Sequence, residues 1–339
     1  MFALDGILVD LLILIVFLVI MDFGSRMIIH SAIKISEATG IGKATIGFLL
    51  LAFSTSLPEL SVGVIAPLSG EAAVSVGNVL GTNVVNVCLI IGLAVLLVSL
   101  RRPRVVSTVP RFAKEELGSL YFGLFIASII PLSLVYATGA IWLVGLVLVL
   151  IFAVYSYQML KISVPRGEIE NKTALESKEN VRKHVVFTLV GIVVVIISSY
   201  WMVQSSVAIA VLTGVPRTII GATIIAFGTS LPEFSLTVRA FLKDQAAMGL
   251  GIIIGSGFIN ITLILGVTFL IPWLIGSPLT MNMFAFQGLI LFSLMSNLFL
   301  WYFLSMERLS WKEGAILLFI YLLFLANTLG VVQLLPQMT

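Results

Sequence analysis

The stretch "AFSTSLPEL", from Ala52 to Leu60, returns later in the chain as "AFGTSLPEF", from Ala226 to Phe234. Each copy places a carboxylate and a helix-breaking proline inside an otherwise apolar segment. A charge at the centre of a membrane-spanning helix costs about 2.5–3.5 kcal/mol on insertion scales. Two such charges at matching positions indicate that Glu59 and Glu233 serve a shared purpose.

The composition around these two stretches identifies an integral membrane protein. The 339 residues are 60% hydrophobic and only 10% charged, whereas soluble domains carry roughly 25% charged residues. Apolar stretches long enough to span a bilayer as helices occur ten times, without the two-residue alternation of a membrane β-barrel. We therefore expect an all-α membrane protein with ten transmembrane helices, near 7–29, 43–66, 72–98, 117–136, 139–160, 185–210, 216–240, 246–271, 283–304 and 313–334.

The basic residues predict how these helices cross the membrane. Of the 19 Lys and Arg residues, all but Arg217 fall on one set of alternating loops and helix ends. The positive-inside rule assigns that set to the cytoplasm. We expect a multi-pass protein of the cell membrane (plasma or inner membrane), with both termini outside and the long polar segment 161–184 as a cytoplasmic linker.

The repeat extends well beyond the two opening stretches. "TGIGKATIGFLLLAFSTSLPELS", from Thr39 to Ser61, aligns with "TGVPRTIIGATIIAFGTSLPEFS", from Thr213 to Ser235, at an offset of 174 that continues through the next helix. We expect two five-helix repeats, 1–160 and 185–339. Because five is odd, the second copy would enter the membrane from the opposite side. Such inverted-topology repeats are common among secondary transporters.

Helical spacing collects the polar residues of each repeat on one face. The set at i, i+3, i+4 and i+7 is Ala52, Thr55, Ser56 and Glu59 in the first repeat and Ala226, Thr229, Ser230 and Glu233 in the second. Pro58 and Pro232 cannot donate a backbone hydrogen bond, so each bends its helix and frees carbonyl oxygens near the glutamate.

The next helix of each repeat adds further polar groups. Thr82 and Asn86 share one face in the first repeat, as do Ser256 and Asn260 in the second. Carboxylate, hydroxyl, amide and carbonyl oxygens are ligands for hard cations such as Ca²⁺ and Na⁺, and not for zinc or copper. The alternative is that the Thr and Ser hydroxyls bond their own helix backbones, which leaves the two glutamates unexplained.

Four other features have simpler interpretations. Asp22 has Arg26 four residues on, which favours a local ion pair over a third cation ligand. The single cysteine, Cys88, is expected to be a small core residue. Small residues spaced four apart favour close helix packing over ion contact: Gly77 with Gly81, and Gly251 with Gly255. Walker A, G-x-S-x-G and H-E-x-x-H patterns do not occur, and the histidines His30 and His184 fall near helix ends, so no enzyme is predicted.

At these residues the chain resembles the sodium/calcium exchanger family, prokaryotic type, within the calcium:cation antiporter superfamily. The stretches ending "TSLPEL" and "TSLPEF" look like its α-repeats, and "GNVLGTNVVN", from Gly77 to Asn86, looks like the segment that follows the first of them. The motif match covers about 39–99 and 213–272. Carried onto this chain, the resemblance implies central ligands Glu59 and Glu233, oxygens from Thr55, Ser56, Thr229 and Ser230, backbone carbonyls of Ala52 and Ala226, and flanking positions Thr82, Ser256, Asn86 and Asn260.

The resemblance also implies a mechanism. The chain would exchange Na⁺ for Ca²⁺ by alternating access at a midplane site, with the first helix of each repeat sliding across the core. Its partners would be Ca²⁺, Na⁺ and the lipid bilayer, with no cofactor, nucleic acid or obligate protein partner.

Departures from the family pattern keep alternatives open. The proton-coupled branch typically has a glutamate where this chain has Gly81, so we favour Na⁺ over H⁺ as the coupling ion. The nearest alternative function is an H⁺-coupled Ca²⁺/cation antiporter, and a cation channel is a less favoured one. Asn260 replaces the aspartate of some members, which argues against potassium co-transport. Ile252 and Gly257 stand where the first repeat has Asn78 and Asn83, which leaves coupling and stoichiometry open.

Overall fold

A computed structural model of the chain describes residues 2–39, 53–101, 107–108, 125, 128–129, 141–162, 176–277, 279, 286–306 and 308–331. Almost all of these residues are helical, as the apolar composition predicts. In chain order the helices are α1 (Phe2–Thr39), α2 (Leu57–Leu68), α3 (Ala72–Val84), α4 (Gly92–Arg101), α5 (Ile141–Ile162), α6 (Glu176–Thr213), α7 (Arg217–Ile220), α8 (Ala226–Thr229), α9 (Leu231–Leu242), α10 (Ala246–Ile259), α11 (Leu265–Leu274), α12 (Gln287–Ser305) and α13 (Trp311–Thr328).

Three π-helical segments join some of these helices into longer rods. They cover Val85–Ile91, Gly221–Ile225 and Asn260–Ile264. The first connects α3 to α4 and the third connects α10 to α11. Asn86 and Asn260, which the repeat pairs at an offset of 174, lie in these two segments. Segments of this kind are frequent at functional sites because they change the local backbone hydrogen bonding.

The described helices supply seven candidate membrane spans, and eight if one bent pair counts as a span. The seven match predicted spans, and the bent pair, Arg217–Thr229 with Leu231–Leu242, matches 216–240. Of the predicted span 43–66, residues 43–52 lie outside the described residues. Of the predicted span 117–136, only residues 125, 128 and 129 are described. The count of ten therefore stays a prediction.

Two details add to the predicted architecture. Helix α6 begins at Glu176, inside the segment 161–184 that was predicted to be a linker, because "ESKENVRK" is polar yet rich in good helix formers. Residues Ser107–Thr108 and Arg308–Leu309 form a two-residue antiparallel ladder, an exception to the all-α prediction. Two residues are too few for alternation to reveal a strand.

The helices that carry the repeated motif are interrupted at the predicted place. Ser56 and Ser230 leave the helical conformation, with ψ of 6° and 1°, and a new helix starts at the next residue. In the second copy the two pieces meet at 49°. Pro58 and Pro232 explain the breaks because neither has an N–H for the preceding turn.

Interior helices from the two halves of the chain pack against each other. Helix α3 contacts α7 and the π-helical segment Gly221–Ile225, while α2 contacts α11 and the segment Asn260–Ile264. Glycines allow backbones to meet at two further crossings: Gly92 lies against Gly314, and Gly145 lies against Gly266. Gly92 and Gly266 are themselves related by the offset of 174. The motif-bearing helices of both halves therefore meet in the interior.

Candidate functional site

Glu59 and Glu233 occupy the same place in two similar local structures. Each lies in the first turn of the helix that follows the break, directly after the proline. The N-terminus of a helix carries a partial positive charge that favours a carboxylate there. The break therefore puts each glutamate at a helix end within the core, and not in mid-helix.

The two carboxylates are buried without a positive partner. Both side chains are 0% exposed, and they are close enough for their charges to interact. Among the described residues, no Lys or Arg forms an ion pair with either glutamate; Arg26 pairs with Asp22 and Arg217 pairs with Glu71 instead. Two unpaired charges in such surroundings call for a cation between them.

One side of the site is joined by hydrogen bonds centred on Ser256. Its hydroxyl accepts from Ser56 Oγ at 3.1 Å and from Asn86 Nδ2 at 3.2 Å, and it donates to Glu233 Oε1 at 3.3 Å. Ser56 and Asn86 come from the first half of the chain, and Ser256 and Glu233 come from the second. The motif residues of both halves therefore form one network.

The residues related to this network by the offset of 174 do not form a matching set of hydrogen bonds. The positions that match Ser256, Asn86 and Glu233 are Thr82, Asn260 and Glu59. All three are fully buried, yet the polar side-chain atoms of all three lack hydrogen-bond partners. Two halves with the same sequence pattern thus have different hydrogen bonding.

Five buried acceptor oxygens without donors belong to the glutamates and asparagines of this site: Glu59 Oε1 and Oε2, Glu233 Oε2, Asn86 Oδ1 and Asn260 Oδ1. Others, such as Asp22 Oδ1 and Asn83 Oδ1, lie elsewhere among the described residues. Buried polar atoms are nearly always satisfied in native proteins, so a clustered exception indicates that something else supplies the interaction. Hard cations bind such oxygens directly. No cluster of three or more His, Cys, Asp or Glu side chains occurs in the described part of the chain, so the donor set is carboxylate, amide and hydroxyl.

The hydroxyl residues divide between the two roles that the sequence allows. Ser230 Oγ donates to Ala226 O at 2.7 Å, which is the helix-backbone bond of the simpler interpretation. Thr55 and Thr229 instead each lie beside the glutamate of the other half, Thr55 beside Glu233 and Thr229 beside Glu59. The threonines therefore lie between the two halves of the site.

The backbone carbonyl of Ala226 is already engaged within its own segment. It accepts from Ser230 N at 3.2 Å and from Thr229 Oγ1 at 3.4 Å, in addition to Ser230 Oγ. Its predicted part in binding an ion stays a prediction. Ala52, the matching position, lies outside the described residues.

Sequence reasoning missed Asn78. This side chain is fully buried, and its Oδ1 accepts a hydrogen bond from Thr229 Oγ1 at 3.3 Å. Asn78 precedes Thr82 by four residues, so the helical spacing that linked Thr82 to Asn86 would also have included it. Its counterpart in the second half is Ile252, so this contact exists on one side only.

Two predictions about residues outside the site are confirmed. Arg26 Nε donates to Asp22 Oδ2 at 2.8 Å, one helical turn away, so Asp22 forms the expected local ion pair. Cys88 is buried in the hydrophobic core, where its Sγ lies 3.2 Å from Ser296 Oγ.

Comparison with known proteins gives consistent matches over nearly the whole chain. The profile of the family described as "Sodium/calcium exchanger protein" matches residues 9–161 and 183–330. CaxA of Alkalimonas amylolytica is 33% identical over 326 residues, covering 93% of this chain and 97% of the relative. The sodium/calcium exchanger MaX1 of Methanosarcina acetivorans is 30% identical over 365 residues, covering 94% and 97%.

Two kinds of solved structure share the fold. The sodium-calcium exchanger NCX_Mj superposes with a TM-score of 0.65 at 23% identity, covering 95% of this chain and 99% of that one. The H⁺/Ca²⁺ exchanger CAX superposes with a TM-score of 0.78 at 19% identity, covering 97% and 82%. At these identities the likeness concerns the fold.

Proposed function

The chain belongs to the sodium/calcium exchanger protein family, and from that premise we propose that it is a secondary active antiporter that exchanges Na⁺ for Ca²⁺. Family membership supports a transporter of cations and not an enzyme. The observation that carries the ion site is the cluster of buried, unsatisfied oxygens around Glu59 and Glu233. The named relative MaX1, a sodium/calcium exchanger, supports the choice of ions.

The proposed architecture is two inverted five-helix repeats, 1–160 and 185–339, with ten spans in all. Support comes from the repeated motif, from the matching breaks at Ser56 and Ser230 and from the paired π-helical segments. Connecting residues of both halves line one pocket, among them Gly70 and Ser277, where Arg217 pairs with Glu71 at 2.7 Å. Following the basic residues, we assign that pocket and both termini to the outside and segment 161–184 to the cytoplasm.

The proposed mechanism rests on competition for the same oxygens. Ca²⁺ and Na⁺ would share Glu59 and Glu233, with the remaining predicted ligands flanking them: Thr55, Ser56, Thr229, Ser230, Ala52, Ala226, Thr82, Ser256, Asn86 and Asn260. Closing the site around two bare carboxylates is unfavourable. The transporter would therefore change its facing only when a cation neutralises them, which couples the two ion gradients without ATP.

An H⁺-coupled Ca²⁺/cation antiporter is the second candidate, because CAX shares the fold. The surroundings of Gly81 favour sodium. A Cβ built at this position would lie 2.3 Å from the carbonyl oxygen of Ala222, so this packing has no room for the glutamate that the proton-coupled branch carries there. A cation channel remains the third possibility.

The coupling ion is decided by Ca²⁺ uptake into proteoliposomes loaded with Na⁺, with K⁺, or with only an outward proton gradient. We expect uptake with internal Na⁺ alone, because Na⁺ leaving the vesicle would drive Ca²⁺ entry. Uptake driven by the proton gradient alone would favour the second candidate. Uptake that ignores the internal ion would indicate a channel.

We expect Asn78→Ala to weaken Na⁺ binding more than it lowers the maximal rate. Asn78 Oδ1 and Ala226 O share the one hydroxyl hydrogen of Thr229, so Asn78 helps to orient this hydroxyl with its oxygen lone pairs left for a cation. The loss of one such hydrogen bond corresponds to about a 2- to 10-fold rise in the Na⁺ concentration for half-maximal exchange. Measuring Ca²⁺ uptake against internal Na⁺ tests this.

Asn83→Ala is the matched control for that variant. Asn83 is also a buried asparagine of α3, but its Nδ2 lies 3.5 Å from Ser293 Oγ in a different contact. Equal effects of the two substitutions would mean that Asn78 acts only through helix stability.

A further inference from the structure

The two histidines of the chain face each other outside the site described so far. His30 lies on α1 and His184 lies on α6, with ring centroids 6.0 Å apart and ring planes at 64°. They are the only two histidines among 339 residues. The Ca²⁺ and Na⁺ mechanism uses neither.

The packing of α1 on α6 explains why the rings meet. Contacts between the helices pair Phe17 with Trp201 and Gly24 with Gly191. Numbers rise along one helix as they fall along the other, so the two run antiparallel. Gly24 and Gly191 bring the backbones together: a Cβ built on Gly24 would lie 3.3 Å from Gly191 O. His30 lies six residues after Gly24 on α1, and His184 lies seven residues before Gly191 on α6. Because the helices are antiparallel, both histidines lie at about the same distance from this crossing.

We propose that His30 and His184 form a binding site for a divalent transition-metal ion such as Ni²⁺, Cu²⁺ or Zn²⁺. With metal–nitrogen bonds of about 2.0–2.1 Å, two imidazoles on one ion have ring centroids at most roughly 6.4 Å apart. The observed separation of 6.0 Å lies within that limit. To bind a shared ion, the two rings would have to turn so that one nitrogen of each points at it.

The surroundings leave the nitrogens available. His184 Nδ1 is buried and has no hydrogen-bond partner, whereas the side chain of His30 is exposed and gives an ion access from solvent. Next to His184, the Lys183 ammonium lies 5.7 Å from the centre of the Phe187 ring. This positive charge opposes a cation, so the affinity should be modest, with water completing the coordination.

The ligand class separates this site from the one at the glutamates. Imidazole nitrogen suits Ni²⁺, Cu²⁺ and Zn²⁺, whereas Ca²⁺ and Na⁺ prefer oxygen. A bound ion would join α1 and α6, the first long helices of the two halves. The proposal does not depend on which ion the antiporter exchanges.

Binding of Ni²⁺ to the purified full chain, carrying no polyhistidine tag, tests the proposal by titration calorimetry. We expect one ion per chain. His30→Gln and His184→Gln should each weaken binding at least about 10-fold, and the double variant, which has neither imidazole, should bind more weakly than either single one. Cu²⁺ with electron paramagnetic resonance should show two coordinating nitrogens in the parent and one in each single variant.

A double variant of the glutamates, Glu59→Gln with Glu233→Gln, is the control and should bind Ni²⁺ as the parent does. Loss of Ni²⁺ binding in that control would assign the metal to the other site and overturn the proposal. Unchanged affinity in either histidine variant would also overturn it. Thermal unfolding provides a second measurement: Ni²⁺ should raise the melting temperature of the parent and not that of His184→Gln.

Discussion

Replacing Glu233 by Gln is expected to abolish Na⁺-driven Ca²⁺ uptake, and Glu59→Gln should do the same. Glutamine keeps the size of the side chain but removes one of the two negative charges between which the cation would bind. Because ligand charge sets Ca²⁺ affinity, we expect uptake to fall at least about 100-fold. Initial rates of ⁴⁵Ca²⁺ uptake into Na⁺-loaded proteoliposomes measure this directly.

A binding measurement separates loss of the ion site from loss of folding. Ca²⁺ should raise the melting temperature of the parent, since a ligand that binds only the folded state stabilises it. The glutamine variants should fold but show no such rise. They remove a buried, unpaired charge, which is itself unfavourable in the core, so their stability without Ca²⁺ should not fall below that of the parent.

Asp22→Asn is the matched control for the glutamate variants. Asp22 is also an acidic residue in a candidate membrane span, but Arg26 holds its carboxylate in a local ion pair at 2.7 Å. This variant should keep transport and Ca²⁺ stabilisation. Normal uptake by Glu59→Gln or Glu233→Gln would rule out the proposed site. A loss of uptake in Asp22→Asn as large as in the glutamate variants would show that the effect is not specific to the two glutamates.

Local sequence rules account for much of the fold and for the centre of the candidate site. Hydropathy marks the long helices because lipid requires continuous apolar faces. Proline marks the breaks after Ser56 and Ser230 because it lacks an N–H. The repeat brings Glu59 and Glu233 together because equivalent parts of two similar units tend to meet at their interface.

The features that the sequence could not predict depend on contacts between the two halves of the chain. The hydrogen bonds centred on Ser256, and the unsatisfied oxygens of Thr82 and Asn260, occur at positions that the repeat treats as equivalent. A one-dimensional pattern cannot reveal this difference, because it arises from how the two halves pack. Asn78 was recognisable by its helical spacing, but its partner Thr229 lies 151 residues away.

Gly81→Ala is expected to destabilise the protein and impair transport together. A Cβ at residue 81 would lie 2.3 Å from the carbonyl oxygen of Ala222 and 2.6 Å from its Cα. Both atoms belong to backbone, which cannot move aside like a flexible side chain, so α3 must shift away from the segment Gly221–Ile225. Overpacking of this kind costs about 1–3 kcal/mol. Thermal unfolding of the purified variant measures the loss.

The same shift should reach the ion site, which makes Gly81 more than a packing position. Thr82 follows it directly on α3, and Ala226 and Thr229 follow the segment that α3 would displace, so the oxygens of the two halves would move apart. Gly6→Ala is the matched control, because its Cβ would lie 3.5 Å from Leu212 Cδ1, an ordinary contact. We expect that variant to match the parent in melting temperature and Ca²⁺ uptake. A Gly81→Ala variant that also matches the parent would show that the helices tolerate separation here, and the argument against a glutamate at this position would then fail.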